Sequence, residues 1–190
     1  MKIFGIKIFE KNETSKKIEI INNVLKNYSQ KEIISIFYKL FEKYKTDSIF
    51  EYQLNSTKQF SYNQLNIELI HFYNFFDFFK INDFYLSKNY VKNFIWGQNY
   101  FANEDLYKKY NYNYIQVGTY NGSALCVRQN GLNIYEDSII SVDDERQENF
   151  NSIEADNIFL NLVFEILFSK YQNSNLDTFK NHIINELQNK

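Results

Sequence analysis

Two Asn-Gly dipeptides, Asn121-Gly122 and Asn130-Gly131, constrain what this chain can fold into more than any other feature. Asn and Gly tolerate the positive φ that two-residue hairpin turns demand at their central positions. Each dipeptide stands between short apolar runs, Tyr114-Ile115-Gln116-Val117-Gly118, Ser123-Ala124-Leu125-Cys126-Val127-Arg128 and Leu132-Asn133-Ile134-Tyr135-Glu136. Three such runs joined by two tight turns predict a β-meander, with residues 138–142 as a candidate fourth strand.

Around the meander the periodicity changes. Residues 2–9 read as a strand. Residues 14–28 read as a helix, capped by Thr14 or Ser15, with Ile18, Ile21, Leu25 and Tyr28 at helical spacing. Ser29, with Glu32 three residues on, opens a second helix whose apolar stripe is Ile33, Ile36, Phe37, Leu40, Phe41 and Tyr44. A short strand is expected at residues 49–54. A third helix is expected over residues 63–79, with Leu65, Leu69, Phe72, Phe76 and Phe79 on one face. Residues 81–87 and 90–96 read as strands, or a strand and a turn, and residues 104–110 as one helical turn. Helices over residues 153–171 and 176–187 close the chain. Strands and helices segregated in this way predict an α+β fold, an antiparallel or mixed sheet packed by several helices, over a strictly alternating one. The 190 residues are expected to form a single domain.

Aromatic residues make up 19% of the chain, almost all Phe and Tyr, so the core must be built from rings, with tyrosine hydroxyls reaching polar partners. Lysines outnumber arginines nineteen to two, and Asn, Ile, Lys, Tyr and Phe dominate. Those residues share AT-rich codons, and base composition accounts for the bias without a functional reason.

The net charge of −2 conceals an uneven distribution. Residues 1–50 carry a balance of +4, whereas residues 136–156 hold eight acids against Arg146 alone, a balance of −7. Two arginines, a pI near 5.8 and no basic stripe argue against a nucleic-acid partner, which needs clustered Lys and Arg for its phosphates. No stretch approaches the ~20 apolar residues of a membrane span. The single cysteine, Cys126, and an N-terminus without a signal-like apolar run point to a cytoplasmic chain.

Few residues carry chemistry. His71 and His182 stand alone on predicted helices, with no second ligand near either in sequence to make a zinc site. Cys126 lies among Ala124, Leu125 and Val127, where it reads as a small packed hydrophobe. The five glycines match neither a dinucleotide fingerprint nor a phosphate loop. The acids Asp143, Asp144, Glu145 and Glu148 lack the alternation and central glycine of a calcium loop. No cofactor, metal or catalytic residue is expected. The acidic stretch reads as a solvated loop or as a docking surface for a basic partner, which steers association and selects by charge sign.

The meander and the segment after it resemble a known family. A strand ending in Gly118, the strand from Ser123, the turn Gly131-Leu132-Asn133-Ile134-Tyr135-Glu136-Asp137, then Ala155-Asp156-Asn157-Ile158-Phe159-Leu160 are similar to the SUKH superfamily. That group contains the fungal cell-wall-assembly regulator and many bacterial immunity proteins. Upstream, Leu65-Asn66-Ile67-Glu68-Leu69-Ile70-His71-Phe72-Tyr73 is similar to the family's early helix ending in a Phe-Tyr pair. The family's Leu-Pro before that helix is absent here, and Asn74-Phe75-Phe76 replaces the Asn-Gly that often succeeds it. The likeness covers residues 60–170; residues 1–60 have no counterpart and residues 171–190 add a helix.

The resemblance implies a non-enzymatic protein that neutralises a toxin, often a nuclease, of a polymorphic or contact-dependent system. Charge then suggests a basic toxin meeting Asp137, Asp143, Asp144, Glu145 and Glu148, with Tyr120 and Tyr135 as aromatic anchors. Two other readings stay open: a hydrolase-type enzyme using acids such as Asp143 and Glu148 in a cleft, and a scaffold subunit with an exposed apolar patch.

Overall fold

A computed structural model describes residues 12–56, 59–93, 95–96, 114–120, 123–128, 130–132, 134–137 and 158–188. The expected strand at 2–9, the turn at 104–110, the strand at 138–142 and the first residues of the 153–171 helix lie outside them. The chain is α+β. Its helices are α1 (Glu13–Leu25), α2 (Gln30–Tyr44), α3 (Ile67–Phe75), α4 (Lys88–Asn93), α5 (Ile158–Tyr171) and α6 (Leu176–Gln188). Its strands are β1 (Phe50–Leu54), β2 (Phe76–Ile81), β3 (Phe84–Ser87), β4 (Ile95–Trp96), β5 (Tyr114–Tyr120), β6 (Ser123–Arg128) and β7 (Ile134–Asp137). They form one sheet in the order β1-β2-β3-β5-β6-β7, with β4 also on β5, and every described pairing is antiparallel. Among the described residues no helix is long and apolar enough to cross a membrane.

Helix α2 starts as its sequence dictates. The Glu32 carboxylate accepts the Ser29 N–H at 2.8 Å while the Ser29 hydroxyl accepts the Glu32 N–H at 3.4 Å, a reciprocal capping box. Helix α1 differs from expectation. Asn12, not Thr14 or Ser15, is the cap, and its side chain accepts the Ser15 N–H at 2.8 Å. Asn is as good a cap as Ser, and this frame places Glu13 at the positive end of the helix dipole. The buried stripe becomes Lys17, Ile21 and Leu25, while Ile18 is exposed. Lys17 tolerates this position because its ammonium reaches the Gln172 carbonyl at 2.7 Å, just past the end of α5, and Glu13 at 2.7 Å.

The third helix is the main correction. It ends at Phe75, and Phe76 is already extended at φ −115°, ψ 137°. Phe76 and Phe79 belong to β2, yet both are fully buried. The cause is a bulge: Gln53 pairs with Phe78 and Leu54 with Phe76, leaving Asp77 as the extra residue. The bulge lengthens the inward spacing from two residues to three, which imitates a helical repeat in sequence. Likewise, residues 90–96 are chiefly α4, with only Ile95 and Trp96 in a strand.

Aromatic rings knit the elements together. The Phe37 ring of α2 lies 5.9 Å from Phe72 of α3, 5.6 Å from Phe79 of β2 and 5.6 Å from Phe159 of α5. Phe76 lies 4.9 Å from both Phe41 and Phe72. These separations suit tilted and edge-to-face ring pairs.

Strand β5 organises the sheet. Its first residues pair with β4, its last with β3, and its other edge with β6. A second bulge falls between the β4-paired and β3-paired stretches, at Val117, whose carbonyl accepts the hydroxyl of fully buried Tyr73 at 2.8 Å. Next to it, a Cβ on Gly118 would stand 2.0 Å from the Tyr85 carbonyl oxygen and 2.9 Å from the Leu86 side chain. Only glycine lets β3 approach this closely. Gly118→Ala is expected to cost about 3 kcal/mol in chemical denaturation, the upper end of overpacking. Tyr73→Phe, which strands the Val117 carbonyl, is expected to cost about 1–3 kcal/mol. A Gly118→Ala chain as stable as the original would contradict the close approach.

Candidate functional site

The meander predicted from the Asn-Gly turns is present as β5, β6 and β7. Asn130 has φ 59°, the left-handed conformation its turn requires. Its N–H donates to the Gln64 carbonyl at 2.6 Å, which ties this turn to the entry of α3.

Of the candidate contact residues, Tyr120, Tyr135 and Asp137 are described, and all three lie on the meander. Tyr120 ends β5, pairs with Phe84 and Ser123, and is half-buried with its ring 6.1 Å from that of Phe84. Tyr135 and Asp137 lie in β7 as register partners of Cys126 and Ala124. Asp143, Asp144, Glu145 and Glu148 lie outside the described residues. What the fold fixes is their starting point: the chain enters the acidic stretch from β7, at the end of the described strand order.

Cys126 is buried at 2% exposure, in keeping with a packed hydrophobe. His71 is exposed on α3. Among the described residues no group of three or more His, Cys, Asp or Glu is placed to hold a metal ion.

Among the described residues, a dense polar cluster lies elsewhere, where α2, α5 and α6 meet. The Tyr44 and Tyr171 hydroxyls lie 2.8 Å apart, and each is within 2.5 Å of the same Glu186 oxygen. Three oxygens thus share two hydroxyl protons. The Lys43 ammonium adds hydrogen bonds to both Glu186 oxygens, at 2.7 and 2.9 Å. Lys170 stands 4.5 Å above the Tyr44 ring and pairs with Asp47, while His182 stacks on Tyr171 at 4.6 Å. Sequence reading missed this cluster. Tyr44 is 127 residues from Tyr171 and 142 from Glu186, and no spacing signature links them; the only local cue is that Tyr44 and Tyr171 end their helices and Glu186 is near the end of its own.

The cluster shifts its own protonation. Burial alone pushes the Glu186 carboxyl up, but the donors Lys43, Tyr171 and Tyr44 outweigh it and hold the group below the usual carboxylate range. Partial burial and the bond to Glu186 push Tyr44 up to about 12, and the same two causes raise Tyr171 further.

No protein-family model, curated protein or solved structure matches this chain.

A tyrosine that ionises less readily in the folded chain holds its proton there after the unfolded chain has lost its own. Its contribution is therefore complete below pH ~10 and falls as pH rises towards and past 12. The Tyr44→Phe/Tyr171→Phe chain is expected to lose less stability between pH 9.5 and about 12 than the original, measured by urea unfolding at fixed pH. Parallel curves across that range would contradict the cluster geometry.

Proposed function

We propose that the chain is a non-enzymatic, immunity-type protein that binds and neutralises a cognate basic toxin, with a nuclease of a polymorphic or contact-dependent system as the kind of target. The observation that carries this reading is the charge of residues 136–156, eight acids against one arginine, running directly on from β7. Asp137, Asp143, Asp144, Glu145 and Glu148 supply the field, and Tyr120 and Tyr135 on the adjoining meander supply aromatic anchors. The likeness of residues 60–170 to the SUKH superfamily, with its immunity proteins, supports the same reading.

A concentrated acidic field acts first on encounter. Against a basic toxin domain, to be sought in the gene next to this one, Asp143→Lys/Asp144→Lys/Glu145→Lys is expected to slow association about tenfold or more at low salt and to change dissociation far less. Stopped-flow or surface kinetics at two ionic strengths reads both rates. Unchanged association at low salt would sink the proposal.

A further inference from the structure

A groove of about 430 Å³ runs between α2 and α6, away from the meander. That volume falls within the roughly 300–1,000 Å³ of small-molecule sites. Ser35, Lys39 and Lys43 succeed one another at four-residue spacing along the α2 wall. Ile36, Leu40 and Leu187 make an apolar floor, and Tyr28 and Glu32 also line it. Leu40 and Leu187 are almost fully buried and Ile36 is half-buried, so the floor is part of the packed core rather than a loose surface.

The polar groups decide what the groove can take. The two carboxylates already hold donors. Glu186 receives Lys43, Tyr44 and Tyr171. Glu32 is held in the α2 cap by the Ser29 N–H and hydroxyl at 2.8 and 2.7 Å. The Leu187 carbonyl already accepts the Tyr28 hydroxyl at 3.2 Å. The donors are not exhausted. An ammonium offers three N–H groups, and Glu186 uses two of those on Lys43 while holding it in place. Lys39, exposed on the same wall, has no hydrogen bond or ion pair among the described residues. The groove therefore has spare, positively charged donors above an apolar floor. A cation would be repelled by Lys39 and Lys43 at that end of the groove.

We propose that this groove binds a small amphipathic anion, a single carboxylate on an apolar body. The carboxylate takes the Lys39 ammonium and the remaining N–H of Lys43, and the body lies over Ile36, Leu40 and Leu187. At ~1.5 Å rise per residue, Ile36 and Lys43 are about 10 Å apart along α2, which suits a medium-length chain. Glu32, at the far end from Lys43, disfavours a second negative charge there. This site is independent of the acidic stretch and of any protein partner.

Isothermal titration with octanoate, and with octylammonium as the same body of opposite charge, tests it. Octanoate is expected to saturate at one per chain and octylammonium to bind at least about tenfold more weakly. Lys39→Glu is expected to weaken octanoate by about tenfold or more, since a charge-assisted bond becomes a repulsion. Ser35→Trp, at an exposed position on the wall, is expected to fill the groove and abolish binding. The proposal is overturned if octanoate does not saturate in the millimolar range, if octylammonium binds as well, or if both variants bind octanoate like the original chain.

Discussion

A carbonyl released by a β-bulge inside a protein needs a donor, and in this fold the Tyr73 hydroxyl provides it for Val117. The bond joins α3 to the strand on which β3, β4 and β6 all depend. It works only because Gly118, the next residue, lets β3 come within contact of β5. Bulge, glycine and buried tyrosine form one device: each would be costly without the other two. Through it the meander is fastened to the aromatic core, since Tyr73 and Phe72 share a helix turn and Phe72 touches Phe37, Phe76 and Phe159.

Rings suit this role because they satisfy two demands together. Phe side chains fill the space between α2, α3, α5 and β2 with edge-to-face contacts. Tyrosines do the same while carrying a hydroxyl to a fixed acceptor, Val117 for Tyr73, Leu187 for Tyr28 and Glu186 for Tyr44 and Tyr171. A chain with no proline and five glycines thus gains rigidity from side chains rather than from backbone restriction.

The sequence made some of this legible. Asn130-Gly131 marked a turn because positive φ leaves few alternatives, and Ser29 with Glu32 marked a helix start because a capping box is local. What escaped was non-local. The Asp77 bulge gave Phe76 and Phe79 a three-residue spacing indistinguishable from a helical one until the partner strand β1 is known. Lys17 stood outside the apolar stripe of the first helix because its acceptor, the Gln172 carbonyl, is 155 positions away. The Tyr44, Tyr171 and Glu186 cluster, and the groove beside it, arise from three helices that no short motif connects. The acidic stretch was visible from charge alone, and the fold adds the strand from which it departs.

One coupling is central: the meander that leads into the acidic stretch is held to the core as part of the same cooperative unit as α3. Native-state hydrogen exchange, resolved by residue, measures it. The amides of Ile115, Cys126 and Val127 are predicted to open together with those of Phe72 and Tyr73, at one shared free energy close to that of global unfolding. Meander amides that open at a markedly lower free energy, while α3 stays protected, would contradict it.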